Sequence, residues 1–207
     1  ETPGIELAIA LEKELKNFNE IPKIIFLQNH GLIVTSDNND DIKRITEHVL
    51  NKIEKYLKID MSLYKLTNDI SHLFNSIEKS SNISYLSEDG FLNDQLKKNN
   101  QLFFNTPFCP DTFVYCGVNS VKIENLFDIK TLNEYKIKNH ELPKVIIYSN
   151  NIFFRASSIK KAKEIEEVLK FHIMVLVQNK NKILNFLEID ELAYLSNWEA
   201  EKFRQKL

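Results

Sequence analysis

The chain of 207 residues is long enough to bury a sizeable core, and we expect one domain or one large α/β layer structure. Its 27 basic and 29 acidic residues are interspersed, which argues against a nucleic-acid partner. No apolar run approaches the roughly 18–20 residues that a membrane helix needs, so we expect no membrane partner. The two cysteines, Cys109 and Cys116, predict a reduced pair and a cytoplasmic protein.

The first predicted element is a helix within residues 1–20. Thr2-Pro3-Gly4 supplies a capping residue and a proline at its start. An apolar stripe follows at helical spacing, formed by Ile5, Leu7, Ala8, Leu11 and Leu15. Because the sequence begins at Glu1 without an initiator Met, we expect a fragment or a processed product.

The segment Pro22–Leu57 predicts a strand, a tight turn, a second strand and a long helix. Ile24–Leu27 and Leu32–Val34 are short apolar runs typical of strands that are buried on both faces. Between them lies Asn29-His30-Gly31, in which the glycine allows a tight connection that points the His30 imidazole away from the sheet edge. The polar residues 37–41 then favour a helix start.

The middle of the chain predicts a helix over residues 61–79 and, after a polar stretch, a turn at Asp89-Gly90. The elements predicted beyond this turn are short. They are two strands and one helix, at Thr112–Gly117, Ser120–Ile123 and Ile129–Lys136.

A second segment, Leu142–Ala156, repeats the pattern of the first strand pair. Pro22, Lys23, Ile25 and Asn29 correspond to Pro143, Lys144, Ile146 and Asn150. Each copy is followed by polar capping residues and a long amphipathic helix, which predicts a strand–turn–strand–helix unit used twice. In this alignment Asn151 stands opposite His30, and Ile152 stands opposite Gly31. Chance similarity between two α/β segments is the alternative.

Two histidines have ordinary structural interpretations. A lone histidine such as His30 is compatible with a turn histidine that hydrogen-bonds a carbonyl, since a zinc site normally takes three or more protein ligands. His172 lies on the apolar stripe of the second long helix, three residues after Leu169. We interpret it as a core or subunit-interface histidine with a hydrogen-bond partner.

The segment Ile24–Leu57, with Asn29-His30-Gly31 at its turn, resembles the strand–turn–strand–helix of the class II aldolase/adducin family. Pro3-Gly4 and the following helix resemble the segment that precedes this turn in the family. The C-terminal end, with predicted N-caps at Asp190 and Ser196 and with Trp198 and Phe203 as anchors, resembles a sugar aldolase-like subset with an extended C-terminal half. Pro110-Asp111 matches a Pro-Asp-His motif of that subset, but Thr112 replaces the histidine.

The resemblance implies an α/β fold of three layers, α/β/α, with a mostly antiparallel central sheet. It implies residues 1–105 as the C-terminal part of a class II aldolase-like domain and residues 106–207 as a second α/β half packed on it. It also implies a zinc or other divalent metal bound by His30, with Asn29 and Gly31 as metal-site neighbours. A homo-oligomer, a tetramer in the family, is expected.

The implied activity is metal-assisted reversible aldol cleavage of a sugar or sugar phosphate. The remaining ligands in the family, a His-x-His pair and a catalytic Glu, lie upstream of Pro3-Gly4, and no His-x-His occurs in this sequence. The protein is therefore either longer, or it has lost the site, and this chain alone is expected to be inactive. The alternatives are pentulose-phosphate 4-epimerase chemistry, a non-catalytic adducin-head-like interaction module, and an unrelated α/β domain with a parallel sheet.

Overall fold

The computed structural model describes residues 4–179 and 182–197, which form a mixed α/β structure with two sheets. Contacts along the chain divide it into two compact units, Glu1–Met61 and Ser62–Leu207. The predicted division between residues 105 and 106 falls inside the second unit and stays a prediction about two related halves. No helix in the described ranges is both long enough and apolar enough to span a membrane.

The first unit is a β-hairpin with two helices. Its two strands pair antiparallel, from Ile24↔Val34 at the open end to Leu27↔Gly31 at the turn. The elements are α1 (Ile5–Leu15), β1 (Ile24–Leu27), β2 (Gly31–Val34) and α2 (Asn39–Leu57). Both predicted strands and the predicted long helix are confirmed. The side chain of Asn38 accepts a hydrogen bond from the Asp40 backbone N–H at 2.9 Å and caps α2.

The prediction that β1 is buried on both faces is wrong. The exposed fractions of Ile24 and Phe26 are 39% and 63%, whereas Ile25 and Leu27 are half-buried. Successive side chains of a strand point to opposite faces, and one face of this two-stranded hairpin is open to solvent. A short apolar run does not reveal by itself how many of its faces will be covered.

The second unit is built on a four-stranded sheet in the order β3-β6-β5-β4. The β3/β6 and β6/β5 pairs are antiparallel, and the β4/β5 pair is parallel. The strands are β3 (Ile83–Leu86), β4 (Val121–Lys122), β5 (Val145–Tyr148) and β6 (Asn151–Ala156). The helices are α3 (Ser62–Ile77), α4 (Gly90–Lys98), a 3₁₀ helix (Asn100–Phe104), α5 (Pro110–Cys116), α6 (Ile129–Asn139), α7 (Ile159–Gln178) and α8 (Ile189–Asn197).

Helices cover both faces of this sheet, which confirms the predicted three layers with a mostly antiparallel central sheet. Phe154 packs in one apolar cluster with residues of α4, α5 and α7. Its neighbour Phe153 packs in a second cluster with residues of α3 and α6. Adjacent residues of a strand point to opposite faces of the sheet. Both phenylalanine side chains are therefore fully buried only because helices cover both faces. The repeated strand–turn–strand–helix unit is also confirmed, as β1-β2-α2 and β5-β6-α7.

One prediction in the middle of the chain is wrong, and one strand was not predicted. Residues Thr112–Gly117 do not form a strand, because α5 occupies Pro110–Cys116 with Pro110 in its first turn, where its missing N–H costs nothing. The strand β3 was not predicted within the polar stretch before Asp89. Asp89 caps α4, and its Oδ1 accepts a hydrogen bond from the Leu92 N–H at 2.8 Å.

The C-terminal prediction is only partly described by the structure. Asp190 lies in the first turn of α8, which begins at Ile189, so Asp190 is not the predicted N-cap. Ser196 lies inside the same helix, where its Oγ donates to the Ala193 carbonyl at 2.9 Å, so the predicted N-cap at Ser196 is wrong. Trp198 and Phe203 lie outside the described residues.

His172 lies in the core of the second unit, as its position on the apolar stripe of α7 predicts. Its exposed fraction is 3%, and its ring stacks on Phe108 with ring centroids 4.8 Å apart. The predicted hydrogen bond is not found at Nδ1, which has no partner among the described residues. Burial lowers the pKa of His172 to about 4, because the apolar surroundings disfavour the imidazolium.

This buried imidazole predicts a pH dependence of stability. An unfolded histidine binds a proton near pH 6.5, so below that pH the unfolded state binds more protons than the folded one. The contribution of the neutral His172 to the free energy of unfolding is present in full above pH 6.5. It is lost as pH falls toward 4, at roughly 1.4 kcal/mol per pH unit. We expect the free energy of unfolding, measured with urea, to fall less in His172→Phe than in wild type between pH 7 and 4. The exposed His72→Phe is the control and keeps the wild-type slope, and equal slopes for all three proteins would contradict the prediction.

Candidate functional site

The candidate site is the three-residue loop Gln28–His30 that joins β1 to β2. The backbone N–H of His30 donates to the Leu27 carbonyl at 3.0 Å and closes the turn. Asn29 has φ 61°, a left-handed conformation that asparagine tolerates better than most residues. Gly31 has φ 139°, which residues with a Cβ rarely adopt. The sequence Asn29-His30-Gly31 therefore matches the backbone demands of this loop.

The His30 imidazole is exposed at the tip of the hairpin. Its Nδ1 lies 3.1 Å from the backbone carbonyl oxygen of Gln28. A carbonyl oxygen only accepts hydrogen bonds, so this contact requires the hydrogen on Nδ1 and leaves the lone pair on Nε2. Metal-binding histidines commonly donate their second ring N–H in this way, which fixes the tautomer and the ring orientation.

The other residues needed for a metal site do not gather around His30. Within residues 4–179 and 182–197, no group of three or more His, Cys, Asp and Glu side chains could hold a metal ion. The remaining exposed histidines lie on helices or at a helix end, and they are His48, His72 and His140. One imidazole with a free Nε2 fits a single position of a zinc site, which takes four ligands. The described residues therefore supply one candidate ligand.

The second hairpin resembles the first but has a shorter loop. Tyr148 pairs with Asn151, and the two loop residues Ser149 and Asn150 have φ 49° and 59°. The strand register therefore places Asn151 opposite Gly31 rather than opposite His30, which corrects the ungapped alignment of the two copies. The first loop has three residues where the second has two, so the ungapped match of His30 with Asn151 does not hold.

A buried carboxyl group in the second unit was not predicted as a candidate. Glu166 on α7 has an exposed fraction of 8% and accepts a hydrogen bond from Ser87 Oγ at 2.6 Å. Burial raises the pKa of Glu166, because desolvation disfavours the carboxylate. The sequence signal that could have indicated its burial is its helical spacing from Leu169 and Ile173, which lie on the same face of α7. The Lys170 ammonium forms an ion pair with Asp89 at 2.7 Å. This ion pair and the hydrogen bond of Glu166 connect α7 to the start of α4.

The loop geometry predicts that Gly31→Ala loosens the first hairpin. Nothing lies within 4 Å of a Cβ built at Gly31, so the cost comes from backbone conformation alone, at about 1–3 kcal/mol. We expect the protected amides of β1 and β2 to exchange their hydrogens roughly 5- to 150-fold faster in the variant. Gly90→Ala, at an equally open position without positive φ, is the control and leaves these rates unchanged. Equal exchange rates in Gly31→Ala and wild type would contradict the strain at this position.

Comparisons with known proteins do not place the chain in a family. No known protein family and no curated protein matches the sequence. A solved structure of YgbL from Klebsiella pneumoniae, named as a candidate aldolase/epimerase/decarboxylase, has 13% identity and a TM-score of 0.41, over 61% of this chain and 64% of that one. YgbL from Escherichia coli has 16% identity and a TM-score of 0.31, over 45% and 47%. The chain thus spans less than two thirds of either protein, and identities and scores this low assign it no activity.

Proposed function

We propose that the protein, in its full-length form, is a class II aldolase-type lyase that cleaves a sugar or sugar phosphate reversibly with the help of a divalent metal. The observation that carries the proposal is the orientation of His30. Its Nδ1 is held by the Gln28 carbonyl at 3.1 Å, and its Nε2 points its lone pair away from that contact. An exposed imidazole fixed in this way is ready to serve as a metal ligand.

The chain's own contribution to such a site is positional. Asn29 and Gly31 hold the loop backbone in two conformations that place His30 at its tip. A zinc-like ion bound there would supply Lewis-acid stabilisation of negative charge that develops on substrate oxygens. The proposal requires further ligands and a proton-transferring carboxylate from outside the described residues. The cytoplasm is the proposed location, in keeping with the sequence-based expectation for the two cysteines.

The first test is the metal content of the longest natural form of the protein. We expect about one zinc-like ion per chain by elemental analysis, and at least a tenfold loss of metal affinity in His30→Ala. His72→Ala, another exposed histidine, is the matched control and retains the metal. Metal-loaded protein would then be assayed for aldol cleavage and for 4-epimerisation of pentulose phosphates, which separates the two chemistries. No bound metal after zinc is offered, or equal metal in both variants, would rule out the enzyme proposal.

A second candidate function is a non-catalytic interaction module like the adducin head, which assembles with copies of itself. The exposed apolar side chains of the first unit support the self-association that this function requires. Ile5 and Ile9 on α1 are 79% and 59% exposed, and Phe26 on β1 is 63% exposed. Single exposed apolar residues are common, but the described part of the first unit exposes eleven large apolar side chains, which supports their burial in an oligomer. Such association is compatible with either function, so the metal test decides between the two.

The proposed self-association predicts the effect of Phe26→Glu. A charge placed at the centre of an apolar contact between copies is costly to bury, and we expect dissociation into smaller species by sedimentation equilibrium. Phe127→Glu is the control, since Phe127 is 87% exposed in the second unit and the oligomer should tolerate the change. An unchanged assembly state in Phe26→Glu would exclude this face of the hairpin from the contact.

A further inference from the structure

A cleft opens in the second unit where one end of the sheet meets α5 and α7. Its volume is about 210 Å³. It lies where β3 begins, β5 begins and β6 ends, as the pairing of Ile83 with Ala156 and the bond between Lys144 O and Arg155 N show. Its lining residues are Asn82, Val114, Tyr115, Lys144, Arg155, Ala156, Ser157, Lys161 and Ile165. None of them was a candidate from the sequence, because they come from four separate segments.

The charged residues that line the cleft are all positive. Lys144, Arg155 and Lys161 contribute three cations, and no acidic residue is in the lining. Acidic residues lie near the cations but outside the lining, and Glu141 and Glu78 both interact electrostatically with Arg155. Glu141 lies 3.6 Å from the Lys144 ammonium, and Glu164 lies 3.6 Å from the Lys161 ammonium. Both separations exceed the length of a direct charge-assisted hydrogen bond, so these pairs leave donor capacity on the ammonium groups.

Two of the three cations are held in place by backbone carbonyls. Arg155 donates from Nε to the Pro143 carbonyl at 3.2 Å and from Nη2 to the Leu142 carbonyl at 2.8 Å. Lys144 donates from Nζ to the Val114 carbonyl at 2.7 Å. Neutral carbonyl partners orient these side chains without cancelling their charge. A guanidinium fixed in this way is pre-organised for an anion, which reduces the ordering cost of binding.

The apolar lining residues and the volume of the cleft indicate the rest of the ligand and its size. Val114, Tyr115, Ala156 and Ile165 supply the apolar part of the lining, which we call the apolar wall. A volume of about 210 Å³ is below the range of sites for drug-sized ligands, so the cleft suits a small organic molecule. Small-molecule sites combine an apolar lining with a few fixed polar groups in this way.

We propose that this cleft binds the oxyanion group, a phosphate or a carboxylate, of a small organic molecule whose carbon atoms contact the apolar wall. The cations Arg155, Lys144 and Lys161 recognise the oxyanion. The proposal does not depend on the aldolase activity, because no residue of the His30 hairpin contributes to the cleft.

The test is a calorimetric titration of the protein with three probes, which are inorganic phosphate, glycerol 3-phosphate and lactate. We expect saturable binding of one molecule per chain by at least one probe that carries carbon. In Lys161→Glu the affinity for that probe should fall at least tenfold, since a charge-assisted contact is replaced by repulsion. Lys160→Glu is the matched control, because it makes the same charge change one residue away at an exposed position outside the lining. At 0.15 M salt we expect it to lose less than threefold.

A second variant tests the role of the guanidinium. Arg155→Lys keeps the charge but removes the planar fork, and we expect at least a threefold weaker affinity with an unchanged 1:1 stoichiometry. Circular dichroism spectra matching wild type establish that each variant is folded before it is titrated. A preference for glycerol 3-phosphate or for lactate would identify the oxyanion as phosphate or carboxylate. Absence of saturable binding for all three probes, or equal losses in Lys161→Glu and Lys160→Glu, would overturn the proposal.

Discussion

The structure of the second unit depends on one constraint, the burial of two adjacent phenylalanines in β6. Phe153 and Phe154 point to opposite faces of the sheet, and both are completely removed from solvent. The sheet must therefore be covered on both sides, by α3 and α6 on one face and by α4, α5 and α7 on the other. Burying one phenylalanine contributes about 1.5–3 kcal/mol, so leaving either face open would cost a large share of a domain's stability.

The first hairpin shows what the same sequence pattern does without that constraint. Its strands pair in the same way as β5 and β6, but Ile24 and Phe26 remain exposed on one face. Its loop is also one residue longer and carries His30. A repeated structural unit has thus been used once to build a core and once to present an imidazole at a turn.

Apolar spacing and turn residues in the sequence predicted the elements that local interactions determine. The strands of both hairpins, the long helices α2 and α7 and the burial of His172 follow from apolar spacing and turn residues. The helix α5 was not predicted from the sequence. Its buried residues Thr112, Val114 and Cys116 alternate as they would in a strand, although Pro110 favours a helix start. The shorter second loop was also missed, since only the strand register reveals it. The cleft around Arg155 could not be predicted, because long-range pairing assembles it.

The central claim is that the loop of the first hairpin orients His30 with Nε2 available to a metal. Nitrogen NMR of protein labelled with ¹⁵N at histidine, in its longest natural form, tests this claim most directly. We expect the His30 ring at pH 8 to carry its hydrogen on Nδ1, and added zinc to shift the Nε2 resonance of His30 while those of His48, His72 and His140 stay in place. A hydrogen on Nε2, or no response of His30 to zinc, would contradict it.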